Sequence, residues 1–344
     1  MTKFLVNGAL AEPYRSYRDD DKLTMAVGWA PWWISAKEDD PGWKNRQPVF
    51  DSMYLDGRLV QQISTPFGAH IAGLWQQIPA AAANEYEISA EGQAWSSESA
   101  ESGSALEASD VNLQIGLDPT GGLDPESPLI IWSESANPLG QWQTVRLKAQ
   151  AEAQIITIFL KSAPNLPKRQ QSVFWRNVRV RPIGRYKRSI NIIGAGDTHI
   201  TVEPERPQPN QTVTAVISST RLYDPAELVV RRPDDQRTAA TFLDQTQDAD
   251  RFIWRYEFVP DGDGLFDIRF VGDEGARLLS LRLLRVARDV QLVASDDARA
   301  TYHRVYLLLP PTADLAWFEA AARGSFDGRF TIGFSAYDAG IGNL

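Results

Sequence analysis

Nine of the 11 tryptophans in this 344-residue chain fall before residue 180, and several stand where a polar loop is expected. Trp32 and Trp33 end the run Gly28-Trp29-Ala30-Pro31-Trp32-Trp33, Trp75 closes Ala69-His70-Ile71-Ala72-Gly73-Leu74-Trp75, and Trp95 lies in Gln93-Ala94-Trp95-Ser96-Ser97. An indole beside polar groups is a flat apolar platform with one N–H donor, which suits stacking on a sugar ring or another planar ligand. All-β domains also bury tryptophan in their cores, so most of these indoles are expected there, leaving about two or three for a ligand. Trp32, Trp33, Trp75 and Trp95 are the candidate stacking residues, with Gln93 and His70 as hydrogen-bonding side chains beside them.

A second concentration of chemistry is the loop Gly116-Leu117-Asp118-Pro119-Thr120-Gly121-Gly122-Leu123-Asp124-Pro125-Glu126. Hard cations want several oxygen ligands at once, so Asp118, Asp124 and Glu126 could supply a structural calcium site; an acidic Pro- and Gly-rich turn is the competing reading. No other cofactor is required. His70, His199 and His303 lie far apart and form no ligand pair, which leaves a histidine metal site or a nucleophile triad without support. Glycoside cleavage needs two carboxyl groups about 5 Å or about 6.5–9.5 Å apart, a distance that sequence does not show. The acidic runs Asp19-Asp20-Asp21 and Glu38-Asp39-Asp40 read as solvated surface. With no catalytic constellation visible, the expectation is a noncatalytic protein.

Composition narrows the partners. A net charge of −9 and a pI near 5.0 argue against a nucleic-acid surface, which would need clustered Lys and Arg against phosphates. The absence of cysteine excludes disulfides, thiol nucleophiles and cysteine-ligated zinc. No stretch approaches the roughly 20 apolar residues that span a bilayer, so membrane insertion is not expected. The opening Met1-Thr2-Lys3-Phe4-Leu5-Val6-Asn7-Gly8 lacks the regions of a signal peptide, which leaves a cytoplasmic location open unless Met1 stands in place of a removed signal.

The elements that must carry these residues are short strands. Up to about residue 185 the chain alternates β-branched or aromatic segments with Gly, Pro, Ser and Asp, as in 58–63, 86–90, 111–117, 144–149 and 155–160. In the third of these, Val111, Leu113, Ile115 and Leu117 alternate with Asn112, Gln114 and Gly116, the period of a half-buried strand. The segment 96–109 reads as a loop. A second β region over 190–287 has strands expected at 198–202, 212–217, 226–231, 252–258 and 264–270, and its length and turn signals fit an immunoglobulin-like sandwich. The proline-rich 202–209 matches an edge strand or its lead-in. Residues 300–344 read as a short β-α-β segment, with strands at 302–309 and 330–335 and a helix at 314–323. Two strands and a helix make a poor core alone, so this tail is expected to dock on another domain, to join a second copy or a partner chain through residues 302–344, or to begin a truncated α/β domain.

The order of Leu5-Val6-Asn7-Gly8, the stretch 69–78, Gly92-Gln93-Ala94-Trp95, Ile115-Gly116-Leu117-Asp118 and the closing Phe174-Trp175-Arg176-Asn177-Val178-Arg179-Val180 resembles galactose-binding-like jelly rolls of the carbohydrate-binding-module type. The resemblance covers about half the chain. It implies a mainly β fold with a jelly roll over 1–185, a noncatalytic role in binding a polysaccharide or glycan through tryptophan, and an extracellular or cell-surface location. The family's calcium position often uses acids after the opening Asn-Gly and in the closing strand; here the opening continues Ala9-Leu10-Ala11-Glu12 and the closing strand carries Arg176-Asn177.

Two further readings stay open. Two sandwiches in series with an incomplete tail also describe a structural or assembly subunit of a bacterial surface layer or filament. The chain could equally be the targeting portion of a larger glycan hydrolase.

Overall fold

The structure, a computed structural model, describes residues 5–98, 110–183, 192–194 and 197–287. The β-α-β expectation for 300–344, the partner contact through 302–344 and most of the loop expected at 96–109 lie outside the described residues. The described chain is nearly all β, with the 3-10 turn Asp273–Gly275 as its helical element.

The first β region contains β1 (Tyr14–Tyr17), β2 (Asp20–Ala26), β3 (Ala30–Trp33), β4 (Val49–Leu55), β5 (Arg58–Ser64), β6 (Ala72–Pro79), β7 (Glu85–Ser97), β8 (Gln114–Asp118), β9 (Ile131–Trp132), β10 (Gln143–Gln150), β11 (Ile155–Ser162) and β12 (Gln170–Ile183). They form a seven-stranded sheet in the order β1-β2-β4-β5-β12-β7-β10 and a five-stranded sheet in the order β3-β6-β11-β8-β9. The two pack as a sandwich. Leu74, Ile78, Ile115, Leu117, Ile156, Ile158 and Leu160 of the smaller sheet share one core with Met25, Phe50, Ile63, Tyr86, Ile88, Val173 and Trp175 of the larger. Burying such residues from water is the main favourable term in folding, about 1.5–3 kcal/mol for each large side chain. The alternation read at 111–117 holds, since Val111, Leu113, Ile115 and Leu117 are all buried.

Gln61 shows how a polar side chain is kept inside this core. It is fully buried on β5, donates from Nε2 to Thr24 O and Asp51 O at 2.9 Å, and accepts from Ala26 N at 2.8 Å. Both ends of the amide are satisfied, so it joins β2, β4 and β5 without an unpaired group. Ser96 and Ser97, expected to open the loop at 96–109, belong to β7, which runs past the strand expected at 86–90.

The second β region contains β13 (Ile192–Gly194), β14 (His199–Glu203), β15 (Val213–Ser219), β16 (Ala226–Arg231), β17 (Arg237–Thr238), β18 (Ala240–Asp248), β19 (Arg251–Phe258), β20 (Gly264–Gly272) and β21 (Arg277–Val286). Its sheets run β13-β21-β20-β16-β17 and β14-β15-β19-β18. The strands expected in this region are present, and β14, an edge strand, ends at Glu203, just before the first proline of the proline-rich stretch. Chain contacts group Met1–His199 with Ser219–Leu228 and Arg269–Leu281 as one compact unit, and Ile200–Ser218 with Val229–Ile268 and the described residues from Arg282 onward as another.

Candidate functional site

The candidate site is laid down by strand register on the five-stranded sheet. Trp33 is paired with Ala72 on β6 and its ring lies 6.4 Å from Phe50 of the seven-stranded sheet, so Trp33 faces the core. Successive strand residues point to opposite faces. Trp32 therefore faces away from the other sheet, together with every residue in its row: Gly73 of β6, Lys161 of β11 and Gln114 of β8. The neighbouring row on the same face runs Ala30, Trp75, Phe159, Gly116 and Trp132.

These rows place two indoles around a phenyl ring. Trp32 meets Phe159 edge-on at 6.2 Å, and Trp132 meets the same ring at 6.2 Å and 50°. Each indole lies close to a glycine. At Gly73 a Cβ would run into the Leu160 carbonyl before it reached Trp32 Nε1 at 2.9 Å, so the neighbouring backbone excludes a side chain there; at Gly116 a Cβ would stand 2.6 Å from Trp132 Cζ3. A side chain at Gly116 would push the Trp132 ring out of place.

Above this floor lies a cleft of about 470 Å³. Trp32, Ile34, Ile71, Trp132 and Lys161 form its base, Lys37, Asp40, Lys44 and Asn45 one rim, and Pro125, Glu126 and Ser127 the other. The size is that of a small-ligand site, and the lining is mainly polar and charged around an aromatic floor. Trp32 Nε1 is buried and has no acceptor among the described residues. A buried donor of this kind is uncommon and calls for a partner brought by ligand or water.

The electrostatics of the two rims differ. Asp40 accepts from Lys37 N at 3.0 Å, Lys44 Nζ at 2.9 Å and Asn45 Nδ2 at 3.0 Å. The backbone donor of Lys37 first, and then Lys44 and Asn45, hold its carboxyl down at about 2. Lys161, half-buried at the base, has its ammonium 4.7 Å from the centre of the Trp132 ring and donates to Gln114 Oε1 at 3.1 Å. Desolvation lowers its pKa.

The six residues singled out from sequence are not brought to one place. Trp32 lines the cleft, and Trp75 lies buried on the same face beside Phe159. Trp33 faces the core. His70 is buried too, with Nδ1 bonded to Thr65 Oγ1 and Nε2 to Ser162 Oγ, each at 2.7 Å, so both ring nitrogens are occupied inside the fold. Trp95 and Gln93 sit on β7 of the other sheet, where Trp95 packs against Phe174 at 5.1 Å. Trp132, Lys161, Gln114 and Asp40 were missed. The period of two along β11 sets Phe159 on the face opposite Ile156, Ile158 and Leu160, and two residues on it sets Lys161 on that same face.

The three acids offered for calcium are also dispersed in role. Asp118 is buried, its Oδ1 taken by Thr120 N at 2.8 Å and Thr120 Oγ1 at 2.7 Å. Asp124 accepts from Glu126 N at 3.0 Å, and Glu126 stands on the cleft rim. Among the described residues no group of three His, Cys, Asp or Glu side chains is arranged to hold a metal ion, so these acids do not form a ligand set with one another. Among the same residues no helix is long and apolar enough to cross a membrane.

No family model matches the chain, and no curated protein matches it. Solved structures to which it is similar include TmCBM61 in complex with beta-1,4-galactotriose, at 9% identity over 53% of this chain and 100% of that one, with a TM-score of 0.33. A CBM4 structure matches at 16% identity over 52% of this chain and 99% of that one, with a TM-score of 0.31. The N-terminal CBM22-1-CBM22-2 tandem domain of Paenibacillus barcinonensis Xyn10C matches at 10% identity over 84% and 93% of the two chains, with a TM-score of 0.29. At these scores the likeness carries nothing about the site, which stands on its own geometry.

Proposed function

We propose that the chain is a noncatalytic glycan-binding protein whose site is the cleft on the five-stranded sheet. One observation carries the reading: Trp32 and Trp132, both packed on the buried Phe159, line one cleft together with Lys161, which donates to Gln114, and the Trp32 indole N–H there is buried with no acceptor among the described residues. Sugars present apolar C–H faces and hydroxyl edges together. Aromatic faces bordered by fixed donors and acceptors match both. The immunoglobulin-like reading of the second β region would make it a spacer, and a cell-surface or extracellular location fits a protein of this kind.

The test is glycan-array binding followed by calorimetry on the intact chain. Selective binding that falls at least about tenfold in Trp132→Ala supports the reading, since each tenfold step is about 1.4 kcal/mol. Unchanged affinity in that variant, with Trp95→Ala abolishing binding instead, would move the site to the other sheet.

The assembly reading is favoured by a different observation. Strand β18 is a sheet edge whose residues from Thr241 to Asp248 are all exposed, Phe242 and Leu243 among them. An open edge with apolar side chains is a template for strand addition. Light scattering that shows an oligomer in the wild type and a monomer in Leu243→Lys would support it.

A further inference from the structure

We propose that the cleft takes an acidic glycan, seating a uronic-acid carboxylate against the Lys161 ammonium at the base. This rests on the glycan-binding reading and adds the charge of the ligand to it.

The argument begins with what Lys161 touches. It lies in the row Trp32, Gly73, Lys161, Gln114, on the face turned from the core, and is half-buried. Its ammonium reaches the Trp132 ring and Gln114 Oε1, both neutral, and forms no ion pair among the described residues. An ammonium has three donors and needs acceptors for each. A cation withdrawn from water without a counter-charge is an unfavourable arrangement unless something supplies the anion.

The other charged groups of the cleft do not supply it. Asp40 is spent on Lys44, Asn45 and the Lys37 backbone. Glu126 is exposed on the opposite rim, and its carboxylate makes no ion pair among the described residues. With Asp40 and Lys44 cancelling, Lys37 and Lys161 outweigh Glu126, so the cleft is locally positive in a chain whose net charge is −9. Repulsion from the distant acids is screened over about 8 Å at physiological ionic strength, whereas the half-buried Lys161 acts at contact.

Geometry favours a sugar acid over a simple anion. The ammonium stands over the Trp132 ring, 4.7 Å from its centre, so a pyranose packed against the part of that indole it leaves open would present its ring substituents beside Nζ. A carboxylate there accepts a charge-assisted hydrogen bond, and Gln114, whose Nε2 donates a hydrogen bond to Ser133 O at 2.8 Å, holds the ammonium in place through its Oε1. Small inorganic anions would leave the aromatic floor unused.

The experiment uses the intact chain and matched ligands: oligosaccharides of polygalacturonate, alginate and glucuronoxylan, each beside its carboxyl-reduced form, which keeps the ring and loses the charge. Calorimetry at neutral pH should show one acidic member binding at least tenfold more tightly than its reduced counterpart. Lys161→Gln should bring the acidic ligand down to the reduced one, while Lys161→Arg keeps the preference. Equal binding of acidic and reduced forms, or binding of neutral glycans alone, overturns this inference and leaves the glycan-binding reading standing. No binding of any glycan by the folded wild type overturns both.

Discussion

Trp32 and Trp33 are neighbours in the chain with opposite duties: Trp32 stands edge-on to Phe159 at 6.2 Å under the cleft, and Trp33 stands 6.4 Å from Phe50 in the core. Truncating each should therefore fail differently. Trp33→Ala removes a partly buried ring packed against the core and should cost about 2 kcal/mol in denaturant melts, with the affinity of the folded fraction unchanged. Trp32→Phe keeps a ring but removes the N–H, and should weaken glycan binding of the folded protein about fivefold to tenfold, the worth of one buried hydrogen bond, beyond the stability lost by shrinking a buried indole. The reverse pattern would mean that the wrong face has been assigned to the ligand.

Gly116→Ala tests the floor from below. The added methyl would meet Trp132 Cζ3 at 2.6 Å and Ile130 Cγ2 at 2.8 Å, so the indole must move. Overpacking of this kind costs about 1–3 kcal/mol. The expected result is a lowered melting temperature together with lost glycan affinity, whereas a variant that binds normally would show that Trp132 does not need its present position.

His70 gives a pH signature. Burial pushes the pKa of its imidazole down to about 3, from the ordinary 6.5. Between those values the unfolded chain takes up a proton that the folded chain refuses, so stability is greatest above about pH 6.5 and falls as the solution is acidified toward pH 3. The slope from this one group approaches about 1.4 kcal/mol per pH unit. Melts from pH 7 to pH 4 should show it, and His70→Gln, though less stable at neutral pH, should lose that part of the slope; an unchanged slope would mean that other groups cause the acid sensitivity.

The strands were legible because their cause is local. The alternation at 111–117 reports burial of one set of residues, Val111, Leu113, Ile115 and Leu117, and the continuous apolar run at 155–160 reports burial on both faces, as in β11, where all six of those residues are buried. The site was legible only in part. Whether a tryptophan faces the core or the ligand depends on which residue of another strand lies opposite it, and that register is a long-range property. Trp32 and Trp33 cannot be told apart by neighbours in sequence, because the difference is made by Gly73 and Ala72 on β6. His70 looked like a binding residue for the same reason, since its partner Ser162 lies 92 positions away. Trp132 escaped notice because β9 has two residues, too few to show a period.

The Asp40 carboxylate, tied to Lys37 N, Lys44 and Asn45, has a consequence for how a ligand arrives. These bonds shape the rim before anything is bound, so less conformational freedom is given up on association than the about 0.5–1.5 kcal/mol each loosely held side chain would otherwise lose. Because the carboxyl is held down at about 2, the pre-shaped rim is fully present above the ordinary carboxylate range and is lost only as the pH falls through about 2. In the proposed glycan binding, capture is then a matter of encounter rather than of loop closure, with the same readiness in mildly acidic surroundings as in neutral ones.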